Sequence, residues 1–564
     1  MKYIKFTLHE ICIIAIIAAA LALRMFLSSQ HWPLTNSDEA TLGLMSMHIQ
    51  RGELPIFYYG QNYMGALEAY LGAGFFSLFG ASEFTLRLVT TLLFILFLLS
   101  MYLLTRTLYT KNLAFFTMLL LSLGSKEVLL RELFVIGGYV ETILFASLAF
   151  LLASWLALSP VPPAGSPKKR IARLTGYGAW GLVIGLGLWS DLLLLPFVAC
   201  STIVLLLFCW RELARGAIIP LLIGLVLGAF PLLVYNLGAA HGQDSWSVLI
   251  AQQEQHIHHS LSLLEKQISS TVDSSIPIIT GSPFCHATGY LGLPFLPVGS
   301  SGPSLQSCTL ISRGWSIVYL LLFAVSAGLT VVALAKASVP FRFHGWTPEK
   351  RPEIVRLSIQ LLLLAGALLT LMLYVRSQAP IISPTTNSRY LIGLWIATPA
   401  VLWPLWRGAC ILQQSPTRSE RMALWLTNVA CRGFLLILLV LFLLGTCLTF
   451  TVLPSAQLAD QQDHALVDGL LKAGITHIYS EYWTCDLIVF ESKEKIICGV
   501  VNHYLYKSSN RYDPYYVAVS KNPNSSYAFP TRDHLDAIIE KKLQQEGRTY
   551  RRFILAGYTV YQPL

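Results

Sequence analysis

Two adjacent carboxylates, Asp38 and Glu39, stand in the stretch Thr35-Asn36-Ser37-Asp38-Glu39-Ala40, just beyond an apolar run that begins near Ile11. That spacing puts them at a membrane surface, where a lipid-borne substrate presents its head group. Carboxylates beside a bilayer are costly to desolvate, and they are often functional when they face a cavity. The chemistry they point to is catalysis on such a head group. The same residues carry a second reading. Ser-Asp-Glu ahead of an apolar periodicity is a helix start, and Asp38 suits the N-cap of a helix opening at Glu39. One side chain can serve both ends.

The elements that must position these groups follow from composition. Of 564 residues, 54% are hydrophobic and only 12% charged, where soluble domains carry about a quarter charged. The chain is therefore expected to be a polytopic α-helical membrane protein. Its net charge of +10 does not point to nucleic acid, because the basic residues fall mainly in short tracts between apolar runs, as the positive-inside bias predicts. The first run follows Lys2 and Lys5 but shows no small-residue cleavage site, so it reads as a retained anchor.

Crossing about 30 Å of hydrocarbon takes roughly 20 residues. On that basis eleven spans are expected, near residues 11–28, 84–108, 113–124, 139–158, 177–189, 192–210, 217–237, 314–334, 354–375, 390–406 and 433–452. With the N-terminus cytoplasmic, the loops holding Lys111, Lys168 to Arg173, Arg211 with Arg215, 336–356 and 407–432 fall inside. This requires the short runs 113–124 and 177–189 to count as half-spans or re-entrant pieces. Asp38-Glu39 then lie in a first outer loop at 29–83, followed by a long outer loop at 238–313 and an extracytoplasmic tail. Within the first outer loop, 39–50 and 65–79 read as amphipathic helices of the kind that lie in the interface, joined by the aromatic turn 57–63.

After the membrane domain, 1–453, the tail at 454–564 is richer in Asp, Lys, Asn and Ser. It reads as a helix at 464–473, a strand at 476–479, a helix at 482–492, strands at 496–501 and 515–520, a helix at 532–546, and strands at 552–556 and 558–562. That alternation predicts a small α/β domain of about 110 residues, enough to fold alone.

Six of the ten cysteines fall in or beside apolar runs, where a thiol acts as a small hydrophobe. The other four form two extracytoplasmic pairs, Cys285 with Cys308 and Cys485 with Cys498, read as disulfides. Neither pair has the close spacing of a zinc site. The cluster His256-Ile257-His258-His259 sits in a polar amphipathic pattern and reads as a solvated helix face.

In order along the chain come Asp38-Glu39-Ala40, the step Gly52-x-x-Pro55, Tyr63-x-Gly65 before the second interfacial helix, Phe79-Gly80-Ala81-Ser82 followed by Arg87, and Arg389-Tyr390-Leu391 opening a late span. By these the chain resembles the GT-C superfamily of integral-membrane glycosyltransferases, in particular the branch of protein O-mannosyltransferases and aminoarabinose transferases. The resemblance runs from the N-terminus to about Val452 and is densest before Arg106.

The resemblance implies an inverting enzyme that moves a sugar from a polyprenyl-phosphate carrier to an acceptor outside the membrane. The acceptor is a protein, a glycolipid or a wall glycan, and the setting is the plasma membrane. Such chemistry needs a carboxylate to take the acceptor proton and cations to stabilise the departing phosphate. By resemblance Asp38 is the general base and Glu39 its neighbour. Consecutive helical residues project about 100° apart, which argues against the two acting as a facing pair. For the phosphate the candidates are Arg389, Arg376, Lys126 and Arg131, with Arg389 first because Arg-Tyr at a span start matches the family pattern. Snorkelling to head groups is the other reading of each.

Glu141, Asp191, Glu68 and Tyr63 are candidates to line the site, Asp191 with helix capping as its alternative. No cofactor is expected. Some GT-C enzymes hold a divalent cation with Asp-x-Asp, and Asp-Glu here favours a metal-independent reaction with a divalent cation as the alternative. A lipid or sugar transporter is the competing class. Transporters often carry internal repeats and helices broken at mid-bilayer, and the sequence shows no convincing repeat.

Overall fold

The computed structural model describes residues 7–163, 165–254, 260–284, 305–344, 350–410 and 418–564. The chain forms two compact units. One comprises Met1–Ala22, Leu93–Glu132 and Gly138–Phe450, the other Leu23–Leu92, Leu133–Gly137 and Thr451–Leu564. It is a multi-pass membrane protein. Among the described residues eight helices are long and apolar enough to cross a membrane, nine if one bent pair counts as a span.

The eleven apolar runs map onto these helices with four differences. Runs 192–210 and 217–237 share a helical stretch, Leu192–Gly228, kinked where Arg215 and Gly216 leave helical geometry. Run 113–124 is one limb of the pair Lys111–Ser122 and Lys126–Leu133, bent by 87°. Run 390–406 opens as the 3-10 helix Ser388–Ala397 before Thr398–Ala409. The short run 177–189 proves to be the second half of a 24-residue helix, Pro167–Ser190. That helix continues through its basic first half because Arg173 is paired, its Nε and Nη2 donating to Glu212 at 2.5 and 2.7 Å.

Packing in the first unit relies on small residues, as expected where lipid removes the hydrophobic drive between helices. Pro167–Ser190 lies against Ile218–Gly228 closely enough that a Cβ on Gly181 would sit 2.0 Å from the Leu221 carbonyl oxygen. A Cβ on Gly224 would meet the Gly178 carbonyl oxygen at the same distance.

The second unit takes in the end of α1 (Leu8–Ser29) from Leu23, all of α2 (Ser37–Gln50) and α3 (Leu67–Phe79), and the start of α4 (Glu83–Leu108) as far as Leu92. Helix α2 packs on α3 and on the tail helix Tyr482–Glu491. Burial from both sides explains why Ala40, Leu42, Leu44 and Met45 are all inaccessible although α2 has little amphipathic bias. Gly43 lets the Phe490 ring approach the α2 backbone, since a Cβ there would fall 2.4 Å from it.

The tail builds one five-stranded sheet in the order β2-β1-β3-β5-β4, from β1 (His477–Ser480), β2 (Ile497–Val500), β3 (Ser526–Pro530), β4 (Tyr550–Leu555) and β5 (Tyr558–Pro563). The first three strands are parallel, β3 pairs antiparallel with β5, and β4 and β5 form a hairpin. Ala556 and Gly557 turn that hairpin, both at positive φ, as a tight two-residue turn requires. Cys485 and Cys498 are joined, fastening Tyr482–Glu491 to β2. Cys285, and with it the pairing to Cys308, lies outside the described residues, as does the 256–259 histidine cluster.

Two tail expectations need correction. Residues 515–520, expected as a strand, belong to the helix Asp513–Lys521. Pro514 sits at its start, and the buried pair Tyr515 and Val519 is spaced by one helical turn. The missed strand is β3, buried at every position, so it shows none of the alternation by which a half-buried strand is recognised.

Candidate functional site

The site assembles in the second unit around Asp38. Helix α2 is capped by Asn36, whose Oδ1 accepts the Glu39 amide at 3.0 Å, so the helix opens at Ser37 and the capping role falls to Asn36 rather than Asp38. Asp38 is left with its carboxylate for other partners. Its Oδ1 accepts from the Tyr482 hydroxyl, from Arg511 Nη2 at 3.2 Å and, at 3.4 Å, from the Tyr58 hydroxyl. The Asp38 side chain remains 21% exposed and Arg511 19%.

Arg511 is itself clamped. Its Nε donates to the Tyr482 oxygen at 2.8 Å, and its guanidinium lies 5.0 Å from the Tyr58 ring centre and 5.4 Å from that of Tyr482. With the Gln61 amide oriented to present its oxygen, Arg511 Nη1 donates to it at 3.0 Å. Burial works against the charge on Arg511, but Tyr58, Tyr482 and Asp38 outweigh it and raise its pKa. Burial and the Asp38 carboxylate push Tyr482 up, so its phenol stays a donor.

Asp486 lies behind this cluster, with Thr41 Oγ1 at 2.8 Å. Burial pushes its carboxyl up to about 6, against the opposing pull of the Thr41 hydroxyl and Arg511.

Glu39 occupies a different environment. It is fully buried, and the Arg87 guanidinium grips both its oxygens, Nε on Oε1 at 2.9 Å and Nη2 on Oε2 at 2.6 Å. Arg87 also donates to Thr35 Oγ1 at 2.9 Å, and the Val135 amide reaches Glu39 Oε1 at 3.3 Å. A bidentate buried pair of this kind positions backbone. Adjacent in sequence, Asp38 and Glu39 are thus separated by environment.

Glu68 is buried with its Oε2 on the Gly137 amide at 2.9 Å, and burial pushes its carboxyl up to about 8. Tyr63 packs at the edge of the unit's apolar core.

The remaining candidates belong to the first unit. The Arg389 guanidinium lies 5.4 Å from the ring centres of both Tyr139 and Tyr390. Arg131 is buried; its Nη2 donates to the Thr385 carbonyl at 3.0 Å, and its Nε has no hydrogen-bond partner among the described residues. Lys126 stands 3.9 Å from Glu127, and Arg376 is exposed at the end of Arg351–Arg376. Glu141 Oε2 accepts the Gly138 amide at 2.5 Å, closing a capping box, and Asp191 Oδ1 accepts the Leu193 amide at 2.8 Å, the capping alternative weighed for it.

Sequence reasoning missed Tyr58, Tyr482 and Arg511. Tyr58 lay inside the recognised aromatic turn, but the other two come from hundreds of residues away and carry no local mark.

No protein-family model and no curated protein matches the chain. Among solved structures it is similar to ArnT from Cupriavidus metallidurans bound to undecaprenyl phosphate, with a TM-score of 0.54 and 13% identity over 97% of each chain. It is similar also to that protein in the apo state, at 0.50 and 14% over 97% of each. The oligosaccharyltransferase AglB from Archaeoglobus fulgidus, in complex with an inhibitory peptide and a dolichol-phosphate, aligns at 0.45 and 14%, over 97% of this chain and 74% of that one. At such identity the likeness is one of fold, and the fold is similar to that of ArnT.

Proposed function

We propose that this chain is a glycosyltransferase that moves a sugar from a polyprenyl-phosphate donor to an acceptor hydroxyl on the extracytoplasmic side of the membrane, with inversion. The observation that carries the reading is the Asp38 carboxylate, accessible and held by Tyr482, Tyr58 and Arg511, in a chain with the ArnT fold. ArnT itself has been captured with undecaprenyl phosphate. An apolar cavity of about 330 Å³ in the first unit, lined in part by Leu121, Trp315, Tyr319, Trp395, Phe434 and Phe442, suits an isoprenoid chain.

In the proposed step Asp38 takes the acceptor hydroxyl proton as that oxygen bonds to the anomeric carbon. The bond from that carbon to the phosphate oxygen breaks, and polyprenyl phosphate leaves with the electron pair. One base and a direct displacement account for inversion. Tyr482 and Arg511 hold Asp38 in one orientation before the acceptor arrives. For the lipid phosphate, Arg389 beside two tyrosine rings and Arg131 with its buried Nε are the first choices, and Arg376 and Lys126 stand as further cations. Glu39 is assigned the role of fixing α2 through Arg87.

One observation favours the transporter reading: the 87° break between Lys111–Ser122 and Lys126–Leu133. The two readings separate in one experiment, transfer of labelled sugar from a panel of polyprenyl-phosphate sugars to membrane acceptors by the intact protein and by Asp38→Asn. Transfer that falls 10²-fold or more in Asp38→Asn, on the scale of a lost general base, is the expected result. Absence of transfer from every donor, with folded protein that moves lipid or sugar across vesicles, overturns the enzyme reading.

A further inference from the structure

We propose that His31, Glu83 and Asp460 bind a divalent transition-metal ion of the zinc class, with Glu491 facing the same group. The site is in the second unit, and the proposal does not rest on the transferase reading. One ligand atom from each of His31, Glu83 and Asp460 lies within 4.8 Å of the others. His31 follows α1, Glu83 opens α4, and Asp460 lies on the tail helix Leu453–Lys472. His31 Nδ1 is 3.1 Å from Asp460 Oδ1.

A second observation points to a ligand. The Glu491 side chain is only 5% exposed, and its Oε2 has no hydrogen-bond partner among the described residues. That oxygen faces His464 Nδ1 at 3.7 Å, and the other nitrogen of the same ring stands 3.7 Å from Asp460 Oδ1. Buried carboxylate oxygens are held by a donor, a proton or a cation. Arg87, a cation close enough to feel both Glu83 and Asp460, holds Glu39 through Nε and Nη2, and its buried Nη1 has no hydrogen-bond partner among the described residues.

The donor set selects the ion. Imidazole nitrogen with carboxylate oxygens suits zinc, whereas calcium and magnesium prefer all-oxygen shells. Ligands about 2.1 Å from one zinc lie about 3.4 Å apart in a tetrahedron, so small side-chain rotations close the group. A bound ion would tie together the exit of α1, the start of α4 and the helix that carries the chain into the tail.

The test uses full-length protein in detergent, its affinity tag removed, stripped with chelator, dialysed against zinc and then against zinc-free buffer. Elemental analysis is expected to find about one zinc per chain, and zinc is expected to raise the thermal midpoint. His31→Asn and Asp460→Asn are each expected to weaken zinc binding by at least 10- to 100-fold, the loss that follows when even an outer-shell partner of a metal ligand is removed. His31 is 47% exposed, so His31→Asn should fold even if Asp460→Asn does not. Retention of no zinc, or zinc binding and midpoint shift unchanged in His31→Asn, overturns the site and leaves the carboxylates to protons.

Discussion

Asp38 and Glu39 show how little adjacency says about role. One turn of backbone sends Asp38 to two phenols and a guanidinium, and Glu39 to a buried bidentate arginine. Removing the phenol that orients Asp38, in Tyr482→Phe, is expected to lower kcat about 10-fold with little change in donor KM, because the hydroxyl positions the base and does not bind the lipid. Steady-state kinetics on folded variant checks this. Glu39→Gln should act on stability instead. Leaving Arg87 buried without its full partner costs about 3–5 kcal/mol, and replacing both residues with apolar side chains of similar volume should recover much of that. Denaturation midpoints in detergent for Glu39→Gln and for Glu39→Met with Arg87→Leu separate this from a catalytic role.

At the scale of elements, the contact that matters most is α2 against Tyr482–Glu491, because it brings Asp38 to Tyr482. Asp486 sits in that contact with a folded pKa of about 6, raised by burial above an unfolded value of about 3.9. The folded state therefore holds this proton more tightly. Its contribution to stability is full below about pH 4 and is lost as pH rises through 6. Asp486→Asn keeps an acceptor for Thr41 and cannot ionise, so its thermal midpoint relative to wild type should improve between pH 4.5 and 7.5. A constant difference across that range would show that Asp486 does not titrate there. The misread helix Asp513–Lys521 belongs to this scale as well. Its apolar residues Tyr515, Val517 and Val519 alternate as a strand would, and only the packing of Tyr515 and Val519 on one side makes it a helix.

At the scale of the whole molecule, Leu23–Leu92, Leu133–Gly137 and Thr451–Leu564 form one compact unit, and a single crosslink, Cys485 to Cys498, closes a 13-residue separation inside it. Loop-closure entropy assigns such a bridge about 3 kcal/mol. Cys485→Ser with Cys498→Ser should lower the midpoint of this unit accordingly, followed by tyrosine fluorescence with and without reductant, the wild type responding to reductant and the double variant not. The sequence by itself determined the membrane class, most of the helices and the chemical interest of Asp38, because apolar length and helix-start residues are local properties that a short window expresses in full. It also determined the GT-C resemblance that the fold bears out. Only the tertiary structure decided that Asn36 takes the cap, that Glu39 is buried on Arg87, and that Asp38 is held by Tyr482 and Arg511, 444 and 473 residues further along the chain. Such partners leave no periodicity or spacing to read. They are chosen by which surfaces bury together, and that choice is made only when the loop and the tail pack.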